Sequence, residues 1–174
     1  MNESNFLETL LYFDNLARKN NFVYSLFAGT LKSLLKTKTA SAPYEVAISL
    51  ETLTTLLFIE ENVNFNKKEF AAENPLPYIE YKGSKIYLNI LIKSSWKKFN
   101  YWKWKNINKN IESNFFSTLN KLYSNDPDLL ILIYFDQQTS SLKLKKVTNI
   151  NPSYYSVINI NNSSFPYIDY LKNE

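Results

Sequence analysis

Residues 27–50 run Phe27-Ala28-Gly29-Thr30-Leu31-Lys32-Ser33-Leu34-Leu35-Lys36-Thr37-Lys38-Thr39-Ala40-Ser41-Ala42-Pro43-Tyr44-Glu45-Val46-Ala47-Ile48-Ser49-Leu50. Gly29-Thr30 follows a short strand, Phe22 to Phe27, and turns the chain into a helix over about residues 30–37. Pro43 marks the next boundary and holds the residue before it extended. Tyr44 to Ile48 then reads as a strand. Alternate side chains of a strand share a face, so Glu45, Ala47 and Ser49 point the same way. Ser49 also stands where the helix that starts at residue 50 wants an N-cap, a role that serine fills well.

Outward from this stretch, helices lead and strands follow. Residues 5–18 predict an amphipathic helix, with Asn5 and Glu8 spaced as a capping box and Phe6, Leu10, Phe13 and Ala17 on one stripe. Asn20-Asn21 ends it. Helical spacing returns over residues 50–61, and residues 62–77 read as an irregular connection. Strands 78–82 and 85–92 flank Lys82-Gly83-Ser84, a hairpin turn. A helix is predicted over about 110–124, a turn at Asp126-Pro127-Asp128, and strands at 129–135, 141–147 and 154–160, after which the pattern fades. No repeat or linker divides the 174 residues. One α+β domain with a mixed sheet flanked by helices follows.

Composition excludes several chemistries. The chain has no Cys and no His, which removes disulfides, thiol catalysis, Cys/His zinc sites and Ser-His or Cys-His nucleophile pairs. Asp, Glu, Lys, Tyr, Ser and Thr remain for acid–base work, and hard, oxygen-loving cations for metals. Gly29 and Gly83 are the only 2 glycines. Walker and Rossmann phosphate loops need more, because their backbone must approach the ligand closely. The net charge is +4, yet Arg18 is the single arginine among 20 basic residues. Lysine lacks the planar fork that reads guanine or grips phosphate in two places, so the charge argues weakly for nucleic acid. No apolar run approaches the ~20 residues of a membrane helix. The polar, acidic start is unlike a signal peptide, and a cytoplasmic protein is expected.

Residues 93–109, Lys-Ser-Ser-Trp-Lys-Lys-Phe-Asn-Tyr-Trp-Lys-Trp-Lys-Asn-Ile-Asn-Lys, interleave 6 Lys with Trp96, Trp102 and Trp104 and contain no acid. Tryptophan is favoured at interface centres, which makes this a candidate docking segment for a protein partner. The same composition suits a single-stranded polyanion, a membrane surface, or a core that the Trp rings fill while lysine stems reach outward.

The order Gly29-Thr30-Leu31, Lys36-x-Lys38, Pro43-Tyr44, then an alternating strand, resembles the signature of the LicD family, the phosphocholine-transferase-like branch of the nucleotidyltransferase fold. That signature runs Gly-Thr-Leu-Leu-Gly, Arg-His-Lys, and Pro-Trp followed by aspartates. The resemblance covers about 24 positions and needs one extra residue before Pro43. It implies a nucleotidyltransferase-like sheet, with Gly29, Thr30, Lys36 and Lys38 as the remnant of a ligand site. The family's metal-binding aspartates fall on Ala47 and Ser49. The third carboxylate, on the strand Lys85 to Ile92, falls on Asn89. Nucleotidyl transfer needs two divalent cations clamped by carboxylates, and Glu45 is the one acid left. The bland readings stay open: Glu45 as a solvated acid at a strand start, Ser49 as an N-cap, Asn89 as a buried amide satisfied by backbone, Lys36 and Lys38 as a solvated helix end. The expectation is a catalytically degenerate protein without cofactor or metal, acting as a binding or scaffolding subunit. Two alternatives stand beside it. One is an atypical Mg2+-dependent transferase built from Glu45, Asn89 and Glu51 or Glu80. The other is an antitoxin or regulator of nucleotidyltransferase-like fold.

Overall fold

The computed structural model describes residues 4–59, 65–66, 76–92, 114–136, 138–139, 141–147 and 155–168. Along the chain these form α1 (Ser4–Lys19), β1 (Tyr24–Leu26), α2 (Ala28–Thr37), β2 (Tyr44–Ser49), α3 (Leu50–Phe58), β3 (Phe65–Asn66), β4 (Tyr78–Tyr81), β5 (Ser84–Ile92), α4 (Asn114–Asn125), β6 (Leu130–Asp136), β7 (Ser141–Val147), β8 (Tyr155–Ile160) and β9 (Ser163–Ile168). The fold is α+β with a mixed sheet and flanking helices. Among the described residues only β2 and β5 run parallel within it. Every other pair, β1–β2, β3–β4, β4–β5, β5–β6 and β6–β7, is antiparallel.

The nine apolar-rich residues of β5 organise that sheet. β2 follows one of its edges from Ile86 to Leu91. The other edge is shared end to end: β4 pairs with residues 84–87 and β6 with residues 90–92. Leu88 and Asn89 lie at the fork where β4 and β6 part. The Leu88 N–H finds the Pro77 carbonyl there, at 2.9 Å, so this backbone donor is satisfied on the edge where the β4 pairing has ended.

Period sets which way each element faces. Phe6, Leu10, Phe13 and Ala17 recur at helical spacing and line the buried stripe of α1. Leu31 and Leu34 of α2, Leu53 and Leu56 of α3, and Leu119 and Tyr123 of α4 join the same cluster with Val46, Ile48, Ile86, Leu88 and Ile90 of the sheet. Phe13 packs edge-on against Phe22 and Tyr24, with ring centroids 5.9 and 5.0 Å away. Asp14 ties helix to strand: the Tyr24 hydroxyl donates to Oδ1 at 2.9 Å and Arg18 Nε donates to Oδ2 at 2.8 Å. Asn21, at φ 54, ends α1 in a left-handed turn, and the Phe22 N–H reaches back to the Ala17 carbonyl at 3.0 Å.

Three local expectations are corrected. Glu8 does not cap α1. Its carboxylate pairs with Lys82 and accepts the Tyr81 hydroxyl at 3.3 Å, while Tyr12 stacks on Tyr81 at 4.2 Å, so the helix is fastened to the β4–β5 turn. α2 starts at Ala28, two residues before the expected position. The tail does not lose pattern after residue 160, for β9 pairs with β8 through Asn161 and Asn162, both at positive φ. Asparagine tolerates that conformation as glycine does, and Pro166 within β9 masks the strand from a sequence reading. The hairpin docks along β1, where Ser25 Oγ accepts the Ile168 N–H at 2.8 Å and donates to the Leu26 carbonyl at 2.8 Å.

Candidate functional site

Glu45, Ala47 and Ser49 share one face of β2, turned away from Val46 and Ile48. The parallel register sets Ala47 beside Asn89 and Glu45 beside Tyr87. On this face Ala47, Phe27 and Leu132 form a small buried cluster, with Ala28, Leu91, Tyr134 and Val147 packed around it.

The turn into α2 is built on Glu45. Phe27 stands at the N-cap position and offers no side-chain acceptor. The Glu45 carboxylate takes that place from the neighbouring strand, where Oε2 accepts the Gly29 N–H at 3.3 Å. The backbone closes the same link twice more. The Phe27 N–H donates to the Glu45 carbonyl at 3.1 Å, and the Glu45 N–H donates to Thr30 Oγ1 at 2.9 Å. Thr30 is only 3% exposed. Both members of the Gly-Thr pair are thus spent on Glu45, and Thr30 is no N-cap. Ala28 sits at φ 50 to make the turn, a conformation costing an L-residue roughly 1 kcal/mol or more. A carboxylate at a helix N-terminus is favoured by the free N–H groups and the dipole. Burial nevertheless pushes the Glu45 carboxyl above its ordinary value of 4.5, and the Gly29 N–H offsets only part of that. Glu45 is half-buried, unlike a solvated strand-start acid.

Ser49 is the N-cap of α3: its Oγ accepts the Thr52 N–H at 3.1 Å and lies 3.0 Å from the Thr52 hydroxyl. Asn89 is fully buried, at 0% exposure. Its Nδ2 donates to the Val46 carbonyl at 3.1 Å, which fixes the amide orientation because a carbonyl can only accept. Its Oδ1 is buried with no hydrogen-bond partner. Backbone therefore satisfies one half of this amide and leaves the other unsatisfied.

The remaining candidates do not gather here. Lys36 lies exposed in the last turn of α2. Lys38 is its left-handed C-cap, with its N–H on the Leu34 carbonyl and its Nζ 3.3 Å from the Asn159 carbonyl. Glu51 is exposed in the first turn of α3. Glu80 pairs with Lys85, four residues before Asn89 on β5, which is about 13 Å along a strand. Among the described residues no three acids come together as a metal site. Trp96, Trp102 and Trp104 lie outside the described residues. No described helix is long and apolar enough to cross a membrane.

The link from Gly29 and Thr30 to Glu45 was not visible in the sequence, since nothing at residue 45 names a partner 15 or 16 positions earlier. The fork beside Asn89 was equally hidden. The single polar residue in the apolar run Ile86 to Ile92, and the place the resemblance gives it, were the signals there. Compared with family models, curated proteins and solved structures, the chain finds no match.

Proposed function

We propose that this chain is a catalytically degenerate protein of nucleotidyltransferase-like fold, working as a binding or scaffolding subunit of a cytoplasmic protein assembly. The observation that carries the reading is the pairing of Ala47 with Asn89 on adjacent parallel strands. These are positions where the resemblance asks for carboxylates. A methyl and a neutral amide there give a pair of divalent cations nothing anionic to bind, and two-metal transfer depends on that charge. The nearby carboxylate, Glu45, is committed to the Gly29 N–H at the start of α2. A fold does not fix an activity, so the reading rests on these side chains.

Calorimetric titration with Mg2+ and nucleoside triphosphates or CDP-choline, followed by product analysis, tests the catalytic half. No turnover is expected, and metal-dependent turnover overturns the reading. The binding half draws on the sequence of residues 93–109. Trp102→Ala with Trp104→Ala is expected to weaken a complex recovered from native cells, since truncating interface Trp commonly costs about 2 kcal/mol or more. The thermal midpoint of the isolated protein is expected to hold. A double variant that unfolds in isolation makes these rings core and removes them as a docking site.

A further inference from the structure

Two acceptors share the face around Ala47, and neither has a full set of donors. Asn89 Oδ1 is buried without a partner. A buried, unsatisfied oxygen costs about 1–3 kcal/mol, so its survival asks for a donor from elsewhere. The Glu45 carboxylate receives one backbone N–H, and among the described residues no Lys or Arg forms an ion pair with it. Their placement is set by the sheet. Asn89 stands beside Ala47, and Glu45 is two residues before Ala47 on the same strand and face. That puts the two side chains one diagonal step apart, about 7–8 Å between backbones. Ala47 between them contributes only a methyl group, packed with Phe27 and Leu132. Asn89 also lies at the fork where β4 and β6 leave β5.

An anion is a poor occupant, since both free groups accept and one carries charge. A divalent cation lacks the carboxylates it needs. A primary ammonium has three donors and one positive charge, and answers both groups together. We infer that the face framed by Glu45, Ala47 and Asn89 is a binding site for a primary ammonium group, carried by a small amine or an amine-bearing ligand. The inference rests on register, burial and hydrogen bonding, and stands whether or not the chain is a degenerate transferase.

The test is thermal unfolding of the whole chain at mildly alkaline pH, titrated with methylammonium chloride and, at matched ionic strength, with tetramethylammonium chloride, which has charge but no N–H. Methylammonium is expected to raise the midpoint of the wild-type protein by roughly 3–6 °C at about ten times Kd, and tetramethylammonium to leave it unmoved. Glu45→Gln, which keeps an acceptor for Gly29 but removes the charge, and Ala47→Val, which crowds the position between the two acceptors, are each expected to abolish the rise. Equal responses to the two salts, no response in the wild type, or a response surviving in both variants overturns the inference. The last two results would leave Asn89 Oδ1 to an internal water or to an uncompensated cost. Circular dichroism of each variant before titration separates lost binding from lost fold. Should either variant fail to fold, the contrast between the two salts in the wild-type chain decides.

Discussion

Thr30→Val separates a structural role for the Gly-Thr turn from a ligand-contacting one. Valine keeps the branched shape, and its helix propensity is close to that of threonine, so the change removes little besides the hydroxyl. That hydroxyl accepts the Glu45 N–H at 2.9 Å, in a side chain only 3% exposed. The N–H points toward the α2 turn, since the carbonyl of the same residue takes the Phe27 N–H on that side. A buried donor left unsatisfied costs about 1–3 kcal/mol, and a central value of about 2 kcal/mol lowers Tm by roughly 4–8 °C in a chain of this size. Urea unfolding is the assay, with an unchanged m-value as the check that both states keep their exposed surface. Amide exchange at Glu45 should quicken relative to Val46 and Ile48. Thr30→Ser, which restores an oxygen, should recover most of the loss. A destabilisation below about 0.5 kcal/mol, the range of an ordinary surface change, together with unaltered exchange at Glu45, would refute the clamp and return Thr30 to the list of ligand contacts.

Other outcomes follow from the same geometry. Because burial holds the Glu45 carboxyl above its ordinary 4.5, the folded state binds its proton more tightly than the unfolded state. The contribution of this group is then most favourable below pH 4.5 and falls as pH rises through the raised value. The stability of the wild-type chain relative to Glu45→Gln should decline across that window and then level, and a difference that grows with pH would contradict the burial argument. Half-buried Glu8 and Asp136 have the opposite tendency, lowered by Lys82 and Lys143, and both are unchanged in that comparison. Ser49→Ala removes the acceptor of the Thr52 N–H and should cost about 1 kcal/mol in urea unfolding, while Ser49→Asp should retain most of the stability. Ser25→Ala strands the Ile168 N–H. It should cost about 1–3 kcal/mol and speed amide exchange in β8 and β9 more than in β5.

Much of this molecule was set locally. The stripe Phe6, Leu10, Phe13 and Ala17 makes a helix that can bury one side only, and Ser49 caps α3 because a serine hydroxyl before a helix reaches the Thr52 N–H without help from the rest of the chain. The alternation Glu45, Val46, Ala47, Ile48 fixed which side chains share a face of β2, because a strand has a period of two. Lys82-Gly83 turned β4 into β5 through positive φ, as a glycine-containing hairpin does. What sequence left open depended on pairings between distant segments. Glu45 could not be told from a solvated acid until β2 lay against the start of α2, 16 residues earlier, where the exposed N–H of Gly29 drew in its carboxylate. The hairpin β8–β9 was half hidden by Pro166 and found its place through Ser25, 143 residues away. Asn89 was marked in advance as a polar residue in an apolar strand and as the position the resemblance gives to a third carboxylate. The parting of β4 and β6 beside it, and the Val46 carbonyl that holds its Nδ2 while Oδ1 goes without, exist only once non-adjacent strands pair, because hydrogen-bond satisfaction in a buried sheet depends on every neighbour the strand acquires and not on its own residues alone.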